Sequence, residues 1–203
     1  MKRLALALLT LLVGLAVTGC GSGDDTATPP PVTVTVTETQ TETAAPEPAV
    51  KCSTAGLRTT LPEQDLPEPV AEVRERIFGA ALACDYDELE RIALEKGAGF
   101  TFTYGEGTSA ADYWRNLEES GTEQPMRALV TILSLPYTRN ESGSYAWPTA
   151  YDESPSEADW QALVDSGLYT QAEIDSMKQA GSYLGWRTAI TADGDWQFFV
   201  AGD

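Results

Sequence analysis

No aromatic residue occurs in the first 50 positions of this 203-residue chain; all five tryptophans, eight tyrosines and five phenylalanines lie between Lys51 and Asp203. A packed core therefore has to come from residues 51–203. About 150 residues suffice for one domain that buries roughly 70% of its unfolded surface. No internal repeat or second linker divides them, so the segment reads as a single globular domain.

Two segments precede that domain. Lys2 and Arg3 stand ahead of an almost wholly apolar run, Leu4 to Val17. A spanning helix needs about 20 apolar residues to cross roughly 30 Å of hydrocarbon, whereas the core of an export signal is about 7 to 15 residues long. The run is too short to span and reads as a signal peptide over residues 1–19. It closes on Val17-Thr18-Gly19-Cys20, an aliphatic residue, two small ones and a cysteine, which resembles the lipobox of bacterial lipoproteins. The resemblance implies a thioether-linked diacylglycerol on Cys20, cleavage before it, often a further acyl group such as palmitate, and a place on the extracytoplasmic face of the cell membrane. Two or three chains hold where one does not, since each buried CH₂ is worth about 0.8 kcal/mol. That family is defined by its anchor, so no activity follows from it.

Residues 21–50 contain eight threonines, five prolines and three glutamates. The VTVTVT run at 32–37 alternates like a strand, but it is brief, lies between a proline run and a polar tract, and has too little apolar surface to offset the entropy of ordering. Residues 20–50 are read as a lipidated cysteine followed by a disordered, extended tether, with a composition that suits O-glycosylation. Thirty residues at about 3.1 Å each would lift a domain by up to about 90 Å.

The charge of the domain excludes one class of partner. Residues 51–203 hold 26 Asp and Glu against 11 Lys and Arg, and only three of the latter are lysines: Lys51, Lys96 and Lys178. Phosphate binding needs clustered cations, so nucleic acid is not expected, and anionic lipid would repel the domain. With Cys20 assigned to lipid, Cys52 and Cys84 remain. Outside the cytoplasm an even pair reads as a disulfide, which would close a loop of about 33 residues and stabilise by roughly 3 to 4 kcal/mol. Two reduced thiols are the alternative.

Hydrophobic periodicity and capping signals predict about six helices. Pro69 opens the first, with Val70, Val73, Ile77, Ala81 and Cys84 on one face. Asp85 and Glu88 start a second that ends at Gly97, and Ser109 and Gly121 bracket a third. Pro125 opens a fourth that ends at Pro136. Ser154-Pro155-Ser156-Glu157 and Thr170-Gln171-Ala172-Glu173 are capping boxes for two more. Strands are expected at Phe100 to Tyr104, at Ser144 to Trp147, and in a C-terminal hairpin turning at Asp193-Gly194. Strict alternation in that hairpin puts Trp186, Thr188 and Ile190 on one face and Trp196, Phe198 and Val200 on another. The expected fold is α+β, helices packed around a small, mostly antiparallel sheet that ends in the C-terminal β-hairpin. This order of early helices, middle strand and terminal hairpin resembles the nuclear-transport-factor-like cone folds. The closing GSYLGWRTAITADGDWQFFVAGD is similar to the end of an uncharacterised domain of exported actinobacterial and proteobacterial proteins, which brings no activity with it.

The chain contains no histidine. Ser-His-Asp and Cys-His nucleophile activation and the common zinc-hydrolase motifs all need imidazole and fall together. G-x-S-x-G, S-x-x-K and the phosphate-binding glycine loop are missing too. Asp193-Gly194-Asp195 lacks the spaced ligands of an EF-hand and reads as a turn, so neither metal nor cofactor is expected. Acid pairs at Asp85 and Asp87, Glu118 and Glu119, or Asp152 and Glu153 keep a carboxylate-dependent envelope hydrolase open as the alternative. The leading expectation is a non-catalytic domain that binds a small molecule, a glycan or an envelope protein. Tyr104 with Trp114, and Tyr145, Trp147 and Tyr151 around Pro148, are its candidate ligand-stacking residues.

Overall fold

The computed structural model describes residues 53–96 and 99–202, all within one compact unit, Pro46–Asp203. The signal and tether, together with Cys20 and Cys52, lie outside the described residues. Six α-helices and a four-stranded antiparallel sheet make up the domain, which is of the α+β class.

Four helices come first: α1 (Glu68–Leu82), α2 (Tyr86–Leu94), α3 (Ala110–Ser120) and α4 (Pro125–Leu133). Pro69 sits in the first turn of α1, where its missing N–H costs nothing, and Val70, Val73, Ile77 and Ala81 are buried along one face. The Asp85 carboxylate accepts the Glu88 amide to start α2. Ser109 caps α3, and Gly121 ends it at φ +68°, a left-handed conformation that glycine adopts without a Cβ penalty.

The sheet follows in the order β1 (Thr138–Arg139), β2 (Tyr145–Trp147), β3 (Arg187–Ile190) and β4 (Trp196–Val200), each antiparallel to its neighbour. Between β2 and β3 lie a 3₁₀ turn at Thr149–Tyr151 and helices α5 (Glu157–Asp165) and α6 (Gln171–Ala180). β3 and β4 form the expected hairpin. Its loop is three residues, Ala192-Asp193-Gly194, flanked by a backbone bond from the Thr191 N–H to the Asp195 carbonyl, with Gly194 at φ +81°.

Three local expectations are corrected, and one strand was not expected. The segment from Phe100 to Tyr104 is no strand: Thr101 alone pairs with the outer edge of β4, donating to Gln197 and accepting from Phe199. Gly99 and the Gly105 turn, closed by the Thr103 hydroxyl, take the chain away on either side. The α5 capping box is formed by Ser156 and Asp159, two residues later than expected. β1 went unforeseen because two residues are too few to show a period. In β4, Gln197 is an extra residue in the ladder, since Ala189 pairs with Phe198 and Ile190 with Trp196. That bulge changes the alternation. Trp196 and Phe199 pack on the same Trp114 ring, while Phe198 meets Tyr151.

The main core joins α1 to α4 with the sheet and is rich in aromatic side chains: Trp114, Trp186, Trp196 and Phe199 are all buried in it. Phe100 adds edge and tilted contacts to Trp114 and Trp196. A second, smaller cluster gathers Ala150, Trp160, Leu163, Ile174 and Tyr183 under α5 and α6.

Candidate functional site

The five aromatic residues singled out in the sequence do not meet at one place. Trp114 is fully buried, and its indole N–H has no hydrogen-bond partner. Trp147 is also fully buried; its Nε1 donates to Gln64 Oε1 at 3.1 Å, and the Arg74 guanidinium stands 5.8 Å from its ring. Neither presents surface to a ligand arriving from solvent. Tyr145 is buried beneath the Arg139 guanidinium, 4.1 Å from the ring centroid. Tyr145 and Trp147 both pack on the Tyr137 ring, at 5.4 and 5.8 Å, and Tyr104 and Tyr151 meet through another residue the sequence analysis did not single out. Arg187 on β3 lies 5.9 Å from the Tyr104 ring and 5.4 Å from that of Tyr151.

Arg187 is 8% exposed, and the Gly185 and Gly202 carbonyls and the Tyr104 hydroxyl accept its hydrogen bonds. It therefore ties the loop after α2 and the end of the chain to the sheet. Tyr104 itself is 57% exposed, one of the few large side chains so placed.

The acid pairs have structural partners. Asp85 caps α2, and Asp87 bonds Arg115 at 3.1 Å. Glu118 accepts the Ser53 hydroxyl at 2.7 Å and the Met126 amide at 2.9 Å. Asp193 accepts the Thr191 hydroxyl, which holds its carboxyl below the usual carboxylate range. Among the described residues no group of three or more acids or cysteines is placed to hold a metal ion.

One cleft does hold acids. Arg139 to Ser142 and Tyr151 to Glu153 line about 530 Å³ at the tip of the β1–β2 hairpin. The Glu141 carboxyl, through a hydrogen bond and like charge, raises the Glu153 carboxyl beside it above its ordinary range. Both are exposed, and a general acid at neutral pH depends on a desolvated carboxyl. Asp152 beside them is held low by the Thr138 hydroxyl and the Ser154 amide.

The larger concavity lies elsewhere, between α1 and the irregular segment 59–66 that precedes it. It holds about 800 Å³, and a second space of about 360 Å³ beside Asp65, Pro136 and Tyr137 shares Pro62, Glu63 and Gln64 with its lining. Leu61, Leu66, Phe78 and Leu82 supply apolar walls, and Glu63 and Glu75 are exposed on its two sides. Its geometry depends on Arg74. Burial pulls that guanidinium down to about 10. It bonds the Leu133 carbonyl through Nε at 3.1 Å and Nη2 at 2.7 Å, and the Pro62 carbonyl through Nη1 at 3.2 Å. Leu133 ends α4, so the cation also meets the negative end of a helix. Gln64 completes the frame by donating to the Leu135 carbonyl at 2.8 Å while accepting from Trp147. The groove is thus held open by a buried arginine and a buried tryptophan. Sequence periodicity marked the position of Arg74 on α1 only as the neighbour of a core valine.

The chain matches no protein-family model, no curated protein and no solved structure.

Proposed function

We propose that this chain is a lipid-anchored lipoprotein of the bacterial cell envelope whose α+β domain is a non-catalytic binding module, carried outside the cytoplasmic membrane on the Thr- and Pro-rich tether. The observation that supports binding over catalysis is the groove along α1: it is the larger concavity, its walls mix apolar side chains with a few polar ones, and its carboxylates stand exposed at the rim. Ligand sites are commonly concave and mostly apolar with a few polar groups, whereas acid catalysis asks for desolvated, facing carboxyls. Val17-Thr18-Gly19-Cys20 supports the anchor.

One experiment separates the readings. Full-length protein in detergent is incubated with bacterial envelope fragments, and both the pelleted protein and the soluble products are measured. The protein is expected to pellet with the fragments and to release no reducing ends above buffer. Release that scales with protein and disappears in Glu141→Gln would establish the hydrolase instead. In cells, a clickable palmitate should label the wild-type chain and leave Cys20→Ala unlabelled; equal labelling refutes the anchor.

A further inference from the structure

We infer that the groove between α1 and residues 59–66 docks an extended peptide segment of another envelope protein, in which lysine or arginine alternates with apolar residues. The inference rests on the reading of the domain as a binding module and assigns its partner's chemistry.

The first observation is Gly79. It lies in the interior of α1, where glycine is the least favourable residue after proline. A packed neighbour that needs the room of a Cβ would account for it. Yet no atom of a packed neighbour lies within 4 Å of the place a Cβ would take. The space it leaves opens into the groove. Ala71, Glu75, Gly79 and Leu82 follow one another at helical steps along that side of α1. From Ala71 to Leu82 the helix rises about 16 Å, the length of roughly five residues of extended chain.

The opposite wall suits main-chain pairing. Among the described residues, none of the amides of Leu61, Glu63, Gln64, Asp65 and Leu66 donates a backbone hydrogen bond. Amides of an extended segment point alternately to either side, so every second one is available to a chain added along it.

Charge selects the occupant. Glu63 and Glu75 form no ion pair among the described residues, nor does Asp65 in the adjoining space. The one cation in the lining, Arg74, is buried and bound to carbonyls. An acidic rim over apolar walls fits cations spaced by apolar side chains. The same charge disfavours the other candidates. A second copy of this acidic domain, the protein's own residues 21–50, which hold five acids and no Lys or Arg, and an anionic lipid surface would all be repelled.

The test uses full-length protein in detergent and two fluorescein-labelled heptapeptides, one alternating leucine with lysine and one alternating leucine with glutamate. Anisotropy should show saturable binding of the lysine peptide alone, weakened tenfold or more by Glu63→Gln with Glu75→Gln and by 0.5 M salt. A remote pair, Glu106→Gln with Glu119→Gln, should stay within about twofold of wild type. Gly79→Leu adds bulk to the groove at a position where a Cβ meets no atom within 4 Å, so it should abolish binding while its thermal midpoint stays level or rises. Unchanged affinity in Gly79→Leu, equal weakening by the remote pair, or no saturable binding by the wild type each overturns the assignment. Self-association through this face, seen as a dimer by sedimentation that Gly79→Leu dissolves, would also overturn it. Retention on envelope fragments alongside indifference to the peptide would sink this partner and leave the binding module standing.

Discussion

Cys84 occupies the position just past α1 where a helix most often ends on glycine. Its own amide donates to Ala81 and the Asp85 amide to Ala80, the paired bonds of a Schellman ending, and its φ is 51°. For a residue with a Cβ the left-handed conformation costs roughly 1–2 kcal/mol. Cys84 is also disulfide-bonded, and with Cys20 assigned to lipid we propose Cys52 as its partner. A tryptic fragment that joins the two cysteines only before reduction is the direct check. The two roles of Cys84 separate by substitution. Cys84→Ala and Cys84→Gly both lose the bridge, so their difference isolates the backbone. The glycine variant should be more stable by about 1 kcal/mol in urea unfolding; equal midpoints would mean that the turn relaxes without strain. The sequence placed Cys84 on the apolar stripe of α1, and periodicity carried no sign that the helix would already have ended.

At the scale of elements, α6 was legible to the residue. Thr170 accepts the Glu173 amide at 3.3 Å, and Glu173 accepts the Thr170 amide and hydroxyl, each at 2.7 Å. Those two bonds hold the Glu173 carboxyl below the usual carboxylate range. A carboxyl lowered in the folded state adds stability above its unfolded pKa and loses it as pH falls through the folded one. Thr170→Ala should therefore cost about 1 kcal/mol at pH 7 and distinctly less at pH 3, as read from urea midpoints. A difference that does not change with pH would show that the carboxylate takes no part. The α5 box moved because two serines compete. Ser154 and Glu157 satisfy the pattern as well as Ser156 and Asp159, but the Ser154 amide turns back to Asp152 at 3.1 Å, so the helix starts later. In Asp159, burial would raise the pKa, and hydrogen bonds from Ser156 and Thr149 outweigh it. Local spacing cannot rank two such caps; packing of Trp160 and Leu163 into the smaller cluster does.

At the scale of the whole molecule, the C-terminal hairpin closes the core. Trp196, Phe199 and Val200 are buried, and the Trp196 indole donates to the Thr188 hydroxyl at 2.7 Å. Gly194 fits against the backbone of Pro69, where an added Cβ would come within 2.7 Å of the carbonyl oxygen. The hairpin turn is thereby locked to the start of α1, the helix that forms one wall of the groove. Truncation after Asp193 removes three aromatic residues, of which Trp196 and Phe199 fill the main cluster, and exposes the edge of β3. Full burial of each is worth about 1.5–3 kcal/mol, so the loss rivals a typical domain stability of roughly 5–15 kcal/mol. The truncated chain should show no cooperative thermal transition by circular dichroism; a transition near that of the intact chain would make the tail a detachable segment.

The order of helices, the fold class, the terminal hairpin and most caps could be read from residues alone, because each depends on contacts within a few positions: a cap and its third amide, a proline in a first turn, a glycine in a reverse turn. Burial of Trp114 and Trp147, the extra residue at Gln197 and the place of Thr101 depend on segments distant in the chain and emerged only from packing. The groove belongs to that second kind. Arg74 reaches carbonyls 12 and 59 residues away. Gly79 has meaning only because the space beside it is empty, and an empty space between two segments leaves no mark in the order of residues along either one.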